Sequence, residues 1–164
     1  VHFANIARMP HGLIAGTTGS GKSVSIHNII ISLLYRNSPD QLRFILVDPK
    51  RVELTLYNKI PHLLTPVITQ AKKAIQALAW AVKEMERRYD ILEAEQVQNI
   101  DSYHKNTYKT AKKAWEDAGS LEEERVNLPE ALPYIVIILD ELNDLMQAYP
   151  RELEANIVRL AQMS

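Results

Sequence analysis

Apolar positions along the 164-residue chain fall into short continuous runs that alternate with longer stretches of helical period. That alternation is the pattern of an α/β domain with a mostly parallel sheet. A first strand is predicted at Gly12–Ala15, followed at once by a glycine-rich turn. A helix is predicted from about Lys22 to Tyr35, where Ile26, Ile29, Ile30, Leu33 and Leu34 share one face. Asn37-Ser38-Pro39-Asp40 ends it. Arg43–Val47 is a continuous β-rich run, as expected of a strand covered on both faces, and Asp48-Pro49-Lys50 closes it.

Residues 51–69 read as loops and short turns, with Pro61 and Pro66 opposing long elements. The strongest helical signal spans about Gln70 to Gln96. There Ala71, Ala74, Ile75, Leu78, Val82, Met85, Tyr89 and Leu92 recur at helical spacing, with Lys and Glu on the other face. Residues 97–133 are polar and charge-dense and are expected to form a surface insertion, with a helix near Asp101–Ala118 that Gly119 would end. Tyr134–Leu139 is the most apolar segment and reads as a third strand ending at Asp140-Glu141. A last helix is expected from about Pro150, burying Leu153, Ile157, Leu160 and Ala161.

Composition narrows the chemistry. The chain has no cysteine, which excludes disulfides, thiolate chemistry and Cys-based zinc sites. The five histidines are scattered, so any metal is expected to arrive with a substrate. The longest apolar runs, Ala77–Val82 and Tyr134–Leu139, fall far short of the ~20 residues a membrane-spanning helix needs. Val1-His2-Phe3-Ala4-Asn5 has neither the basic start nor the apolar stretch of a signal peptide, so the segment reads as cytosolic. Nineteen basic and twenty acidic residues give a formal charge of −1, so bulk charge is no argument for nucleic-acid binding.

The glycine-rich turn carries the most specific signal. Gly16-Thr17-Thr18-Gly19-Ser20-Gly21-Lys22-Ser23 matches the phosphate-binding loop G-x-x-x-x-G-K-[ST] in full. Its glycines permit backbone angles and close approach that a Cβ would block, so successive N–H groups can point at phosphate oxygens. The helix that follows aims the positive end of its dipole at the same anion. Together with Val24, these residues are the expected nucleotide site, with Lys22 on the β and γ phosphates and the Ser23 hydroxyl on Mg²⁺.

Such a loop needs a carboxylate at a neighbouring strand end for the Mg²⁺ shell and a base to orient water. Asp140 and Glu141 supply these in order, Asp140 by the metal and Glu141 polarising the attacking water. Asp48 competes for the metal role at the end of its own apolar strand. It has no adjacent Glu, and is placed behind the site or at the sheet edge, with Lys50 facing a neighbouring subunit.

Several segments resemble one family. Ala15 to Val24, Asp48-Pro49-Lys50 followed by Glu53-Leu54, Ile60-Pro61-His62-Leu63-Leu64, Met85-Glu86-Arg87-Arg88-Tyr89, Asp140-Glu141-Leu142 with Asp144-Leu145-Met146, and Arg159-Leu160-Ala161-Gln162 are all similar to FtsK/SpoIIIE DNA translocases. The resemblance covers the chain in order, apart from the insertion. It implies a RecA-like P-loop NTPase motor domain that uses ATP and Mg²⁺ and assembles as a hexameric ring. The ring pumps double-stranded DNA, as in chromosome partition at division or sporulation. In the family a membrane anchor lies in a separate N-terminal segment.

The family also carries an arginine that reaches into the neighbouring subunit's ATP site, expected just past Ser164, and a sensor strand that would follow it. Residues 1–164 are therefore expected to be a partial motor domain that folds poorly and turns over no ATP alone. Two surface features have bland expectations. Glu84 and Arg88 form a solvated i,i+4 pair, with a ring-interface contact as the alternative. Tyr103, Tyr108 and Trp115 among lysines mark an amphipathic surface helix rather than a stacking platform for bases. Two other functions stay open: an ATPase of the same superfamily that moves polypeptides in secretion or conjugation, and a nucleotide-binding module without turnover.

Overall fold

A computed structural model of the chain describes residues 11–17, 20–120 and 122–163, with the side chains of Glu124 and Val126 outside the description. Helix α1 (Lys22–Leu34) leads to strand β1 (Leu42–Val47), a 3₁₀ turn at Thr55–Tyr57 and the long helix α2 (Ala71–Ala94). Helix α3 (Ile100–Tyr103), a π-helical turn at His104–Tyr108 and helix α4 (Lys109–Asp117) form the polar stretch, which continues into a 3₁₀ segment at Glu122–Asn127. Strand β2 (Tyr134–Leu139) and helices α5 (Leu142–Ala148) and α6 (Pro150–Met163) complete the chain.

Strands β1 and β2 pair in parallel, in a register running from Leu42 opposite Tyr134 to Val47 opposite Leu139. The other edge of β1 is covered too. Phe44 N–H donates to His62 O at 2.8 Å and Ile68 N–H to Leu46 O at 2.9 Å, in parallel bridges with Leu63 and Ile68. A strand bonded on both edges and packed on both faces has little polar side to show, which is why this run reads as Leu, Phe, Ile and Val apart from the half-buried Arg43.

Alternation along β1 divides the core in two. Leu42, Phe44 and Leu46 pack with Ile26 and Ile30 of α1, Leu54, Tyr57 and Val67. Ile45 and Val47 face the other way, onto Ile68, Ala74 and Leu78 of α2, Leu145 of α5 and Leu153 of α6. Each fully buried Ile or Leu contributes about 1.5–3 kcal/mol, so β1 is the stabilising centre of the fold. Among the described residues β2 pairs with β1 alone, and all six of its residues remain half-buried.

The structure departs from the sequence expectation in four places. Residues 11–17 form no strand: Leu13 is 81% exposed and Ile14 42%, because an apolar run this short becomes a strand only when a ladder partner covers it. Helix α5 stands between β2 and α6, where a single later helix was expected. Ala161 is exposed on α6 and Tyr89 is half-exposed on α2, its hydroxyl donating to Met163 O. Finally, the polar stretch is fastened to the body rather than lying on it. Tyr103 is buried and donates to Glu130 O at 2.8 Å, while the His104 ring nitrogen lies within 3.0 Å of the Ala131 and Leu132 carbonyls.

Candidate active site

The carboxyl ends of two parallel strands and the first turn of α1 converge at one edge of the sheet, where open α/β folds place ligands. The register sets this up: past the Val47–Leu139 pair the chain delivers Asp48 and Asp140 side by side, with Asp140 N–H donating to Val47 O at 2.9 Å. Helix α1 begins at Gly21, whose φ of 91° lies in the left-handed region that a Cβ disfavours. Among the described residues no side chain caps this end, and no acidic residue occupies its first turn. Its N–H groups and dipole therefore keep their capacity for an anion.

The backbone is closely approached at Gly16. A Cβ on Gly16 would sit 2.1 Å from Ser20 Oγ, and Ser20 N–H donates to Thr17 O at 3.0 Å. Thr18 and Gly19 lie outside the described residues. Val24 is 62% exposed one turn into the helix, beside Lys22 and Ser23.

Lys22 is the hub. Its Nζ lies 3.0 Å from Asp140 Oδ1 and 3.0 Å from Glu141 Oε1. Its hydrogen bond to Glu141, and then that to Asp140, raise the lysine's pKa above the ordinary value. Glu141 is correspondingly held below the usual carboxylate range, first by Lys22 and then by Lys50, whose Nζ stands 3.1 Å from Glu141 Oε2. The lysine expected to face a neighbouring subunit thus meets an acid of its own chain. Glu141 also holds φ 50° and ψ 54° at the start of α5. A left-handed non-glycine costs on the order of 1 kcal/mol, and strain of this kind concentrates where a side chain must be aimed.

Ser23, the expected magnesium ligand, donates from Oγ to Glu53 Oε1 at 2.8 Å. Glu53 in turn stands 3.4 Å from His27 Nε2, and His27 Nδ1 is 2.7 Å from the hydroxyl of the buried Tyr57. Glu53, His27 and Tyr57 were absent from the expected site. One signal pointed to them: His27 lies one helical turn from Ser23, and Glu53 follows the β1 strand end that lies beside the loop. Asp48, the rival acid, has a structural job. It is fully buried, and its Oδ2 accepts from the N–H groups of Glu53 at 3.0 Å and Leu54 at 2.9 Å, shaping the turn that presents Glu53.

The donor set suits a nucleotide with its divalent ion. Uncapped N–H groups and a lysine at a helix start match phosphate, and the hydroxyl of Ser23 with the carboxylate of Asp140 are the hard oxygen ligands that Mg²⁺ takes. Among the described residues no cluster of three or more His, Asp or Glu could hold a metal by itself, and no helix is long and apolar enough to cross a membrane.

Known proteins are similar to this chain in sequence and in fold. The FtsK/SpoIIIE family model matches residues 1–164. A DNA translocase FtsK of Bradyrhizobium diazoefficiens is 49% identical over 98% of this chain and 21% of its own length. The DNA translocase FtsK of Mycobacterium tuberculosis is 50% identical over 97% of this chain and 18% of its own. The chain therefore spans about a fifth of the curated relatives it matches. Among solved structures, the pCW3 conjugation coupling protein TcpA, in monomer form with ATPγS, aligns at a TM-score of 0.57 and 28% identity, over 90% of this chain and 35% of that one.

Proposed function

The chain belongs to the FtsK/SpoIIIE family, and we propose that residues 1–164 are the nucleotide-binding part of an ATP-hydrolysing motor that moves double-stranded DNA. One observation carries the ATPase reading: the loop lysine, Lys22, sits between the two acids at the β2 end, 3.0 Å from each. A cation held between carboxylates at a helix start can exchange them for phosphate oxygens without leaving the site, so the loop and the acidic pair work as one unit.

In this reading the backbone of Gly16 to Ser23 and the start of α1 receive the phosphates, and the Lys22 ammonium turns from the acids to pair with the β and γ groups. Ser23 and Asp140 are the residues that hold Mg²⁺, which when bound neutralises charge developing on the phosphate oxygens. With so few protein ligands, the rest of the coordination falls to phosphates and water. Glu141, released by Lys22, accepts a hydrogen bond from the attacking water and aligns it. Glu53 has to give up the Ser23 hydroxyl for Ser23 to reach the ion.

DNA as the partner is supported by the relatives named DNA translocase FtsK; a hexameric ring is the working form that goes with this reading by family resemblance. The likeness to a conjugation coupling protein keeps a second, weaker reading, an ATPase of the same superfamily that moves polypeptides in secretion or conjugation. The experiment is ATP hydrolysis by a chain extended past Ser164 over the relatives' motor region, with and without double-stranded DNA, beside Lys22→Ala and Glu141→Gln. The expected result is strong stimulation by DNA, abolished in both variants. Turnover indifferent to DNA would keep the ATPase and remove the DNA motor in favour of the second reading. Full activity in both variants would remove the assigned site.

A further inference from the structure

Glu141 is held by two lysines, one on each carboxylate oxygen, and the two lysines have different positions to move from. Lys22 bonds Oε1 from the first turn of α1, inside the phosphate loop. Lys50 bonds Oε2 from the segment after β1. When Lys22 turns to a phosphate, Oε1 is released and Oε2 is not. We propose that Lys50 is a positioning residue for Glu141, anchoring Oε2 so that the freed Oε1 is presented to the attacking water. This inference rests on the role given to Glu141 above.

The anchor is built to stay in place while the loop changes partners. Lys50 follows Pro49, whose ring fixes φ, and Pro49 follows the fully buried Asp48. Asp48 N–H donates to Ile68 O at 2.8 Å, and its carboxylate accepts from Glu53 and Leu54, so the root of the segment is tied to the sheet on several sides. The Lys50 side chain is 54% exposed and meets the part-exposed Glu141, whereas Asp140 is buried. Glu141 needs such a hold. Its left-handed backbone fixes where the side chain starts, but a glutamate has three further rotors, and a carboxylate that wanders among them seldom meets a water in line with its target. One ammonium on one oxygen removes that freedom and leaves the other oxygen's lone pairs for the water.

The test uses the extended chain with double-stranded DNA and compares wild type, Lys50→Ala, Lys50→Arg, Lys22→Ala and Glu141→Gln. Steady-state hydrolysis gives kcat and KM, and fluorescence titration with ATPγS gives affinity without turnover. Because general-base alignment is worth roughly 100- to 10,000-fold and misalignment forfeits part of it, Lys50→Ala should lower kcat about 10- to 100-fold. Its ATPγS affinity should stay within about twofold, since Lys50 touches neither the loop nor the metal ligands. Lys50→Arg, which can still reach a carboxylate oxygen, should recover most of kcat. An unchanged kcat in Lys50→Ala beside a dead Glu141→Gln would overturn the positioning role alone. A rise in DNA-free turnover would also overturn it, by showing that Lys50 restrains Glu141. Loss of affinity in step with kcat would make Lys50 a structural residue. An active Glu141→Gln would instead remove the parent reading.

Discussion

Substituting Lys22 by alanine should destabilise the nucleotide-free protein as well as abolish turnover. The ammonium neutralises Asp140, whose side chain is 4% exposed, and Glu141, 29% exposed, at 3.0 Å from each. Without it, two neighbouring carboxylates face each other and the buried one has no cation. Breaking a fully buried ion pair costs about 3–5 kcal/mol, whereas an exposed pair is worth about 0–1 kcal/mol. With Lys22 itself 24% exposed, this site lies between those limits. The expected loss is about 1–2 kcal/mol. At a urea slope of roughly 2 kcal/mol per molar, the unfolding midpoint should fall by about 0.5–1 M. The assay is urea unfolding of the extended chain without nucleotide, run on wild type, Lys22→Ala, Asp140→Asn and the double variant. Removing the negative charge that the lysine serves should make the second substitution much milder than the first, a coupling of about 0.5–1.5 kcal/mol in the cycle. An unmoved midpoint in Lys22→Ala, or strict additivity, would show that the acids do not depend on the lysine. The idea that the loop and the acidic pair form one exchangeable unit would then fail.

Other expectations follow from the same structure. Tyr103→Phe should cost about 1 kcal/mol by leaving the Glu130 carbonyl without its donor, and Tyr103→Ala about 3–5 kcal/mol; equal, negligible losses by chemical denaturation would detach the polar stretch from the body. The hydrogen bond from Arg87, and then that from Arg88, lower the pKa of Glu84 below its ordinary 4.5. Its stabilising contribution is therefore complete above that ordinary value and is lost as pH falls through the lowered one. Thermal melts below about pH 4 should show a steeper acid loss in wild type than in Glu84→Gln, and matching profiles would refute this. Glu53→Ala, which frees the Ser23 hydroxyl, should tighten Mg²⁺–ATPγS binding about two- to tenfold by calorimetry, whereas weaker binding would make Glu53 a helper of the metal site rather than a competitor. Residues 1–164 alone should melt without a sharp transition, because β2 is half-buried along its whole length; a cooperative melt would contradict that.

The legible and the illegible parts of this fold differ by how far the deciding partner lies along the chain. Helices α1 and α2 and both strands were readable because period and continuity are local properties: Leu42–Val47 and Tyr134–Leu139 end within a residue of where their apolar runs end. The phosphate loop and the acidic pair were readable because their chemistry demands fixed residue types in short order. Gly12–Ala15 misled for the opposite reason. Its residues are strand-like, but a strand exists only through a ladder partner, and the run does not name one. Helix α5 was missed because its seven residues carry little periodic signal, and its start is a glutamate in a left-handed conformation that no propensity would choose. Tyr103 was read as a surface aromatic because its neighbours are polar. Its burial goes with its bond to Glu130 O, and with those of the adjacent His104 ring to the Ala131 and Leu132 carbonyls, nearly thirty positions away.

The same distinction explains what the site gained from the structure. Lys22, Asp140 and Glu141 could each be assigned alone, but their exchange logic could not, because it depends on which oxygen of Glu141 meets which lysine. The sequence order places Lys50 and Glu53 in one turn and gives them no separate destinations. The buried Asp48 separates them. By holding the N–H groups of Glu53 and Leu54 it curls the turn, so Glu53 reaches Ser23 on the loop side while Lys50 reaches Glu141 across the strand ends. An acid that looked like a rival metal ligand therefore serves as the brace for two contacts. Its Oδ2 is committed to backbone N–H groups, and Asp140 is the strand-end carboxylate that stands beside the lysine.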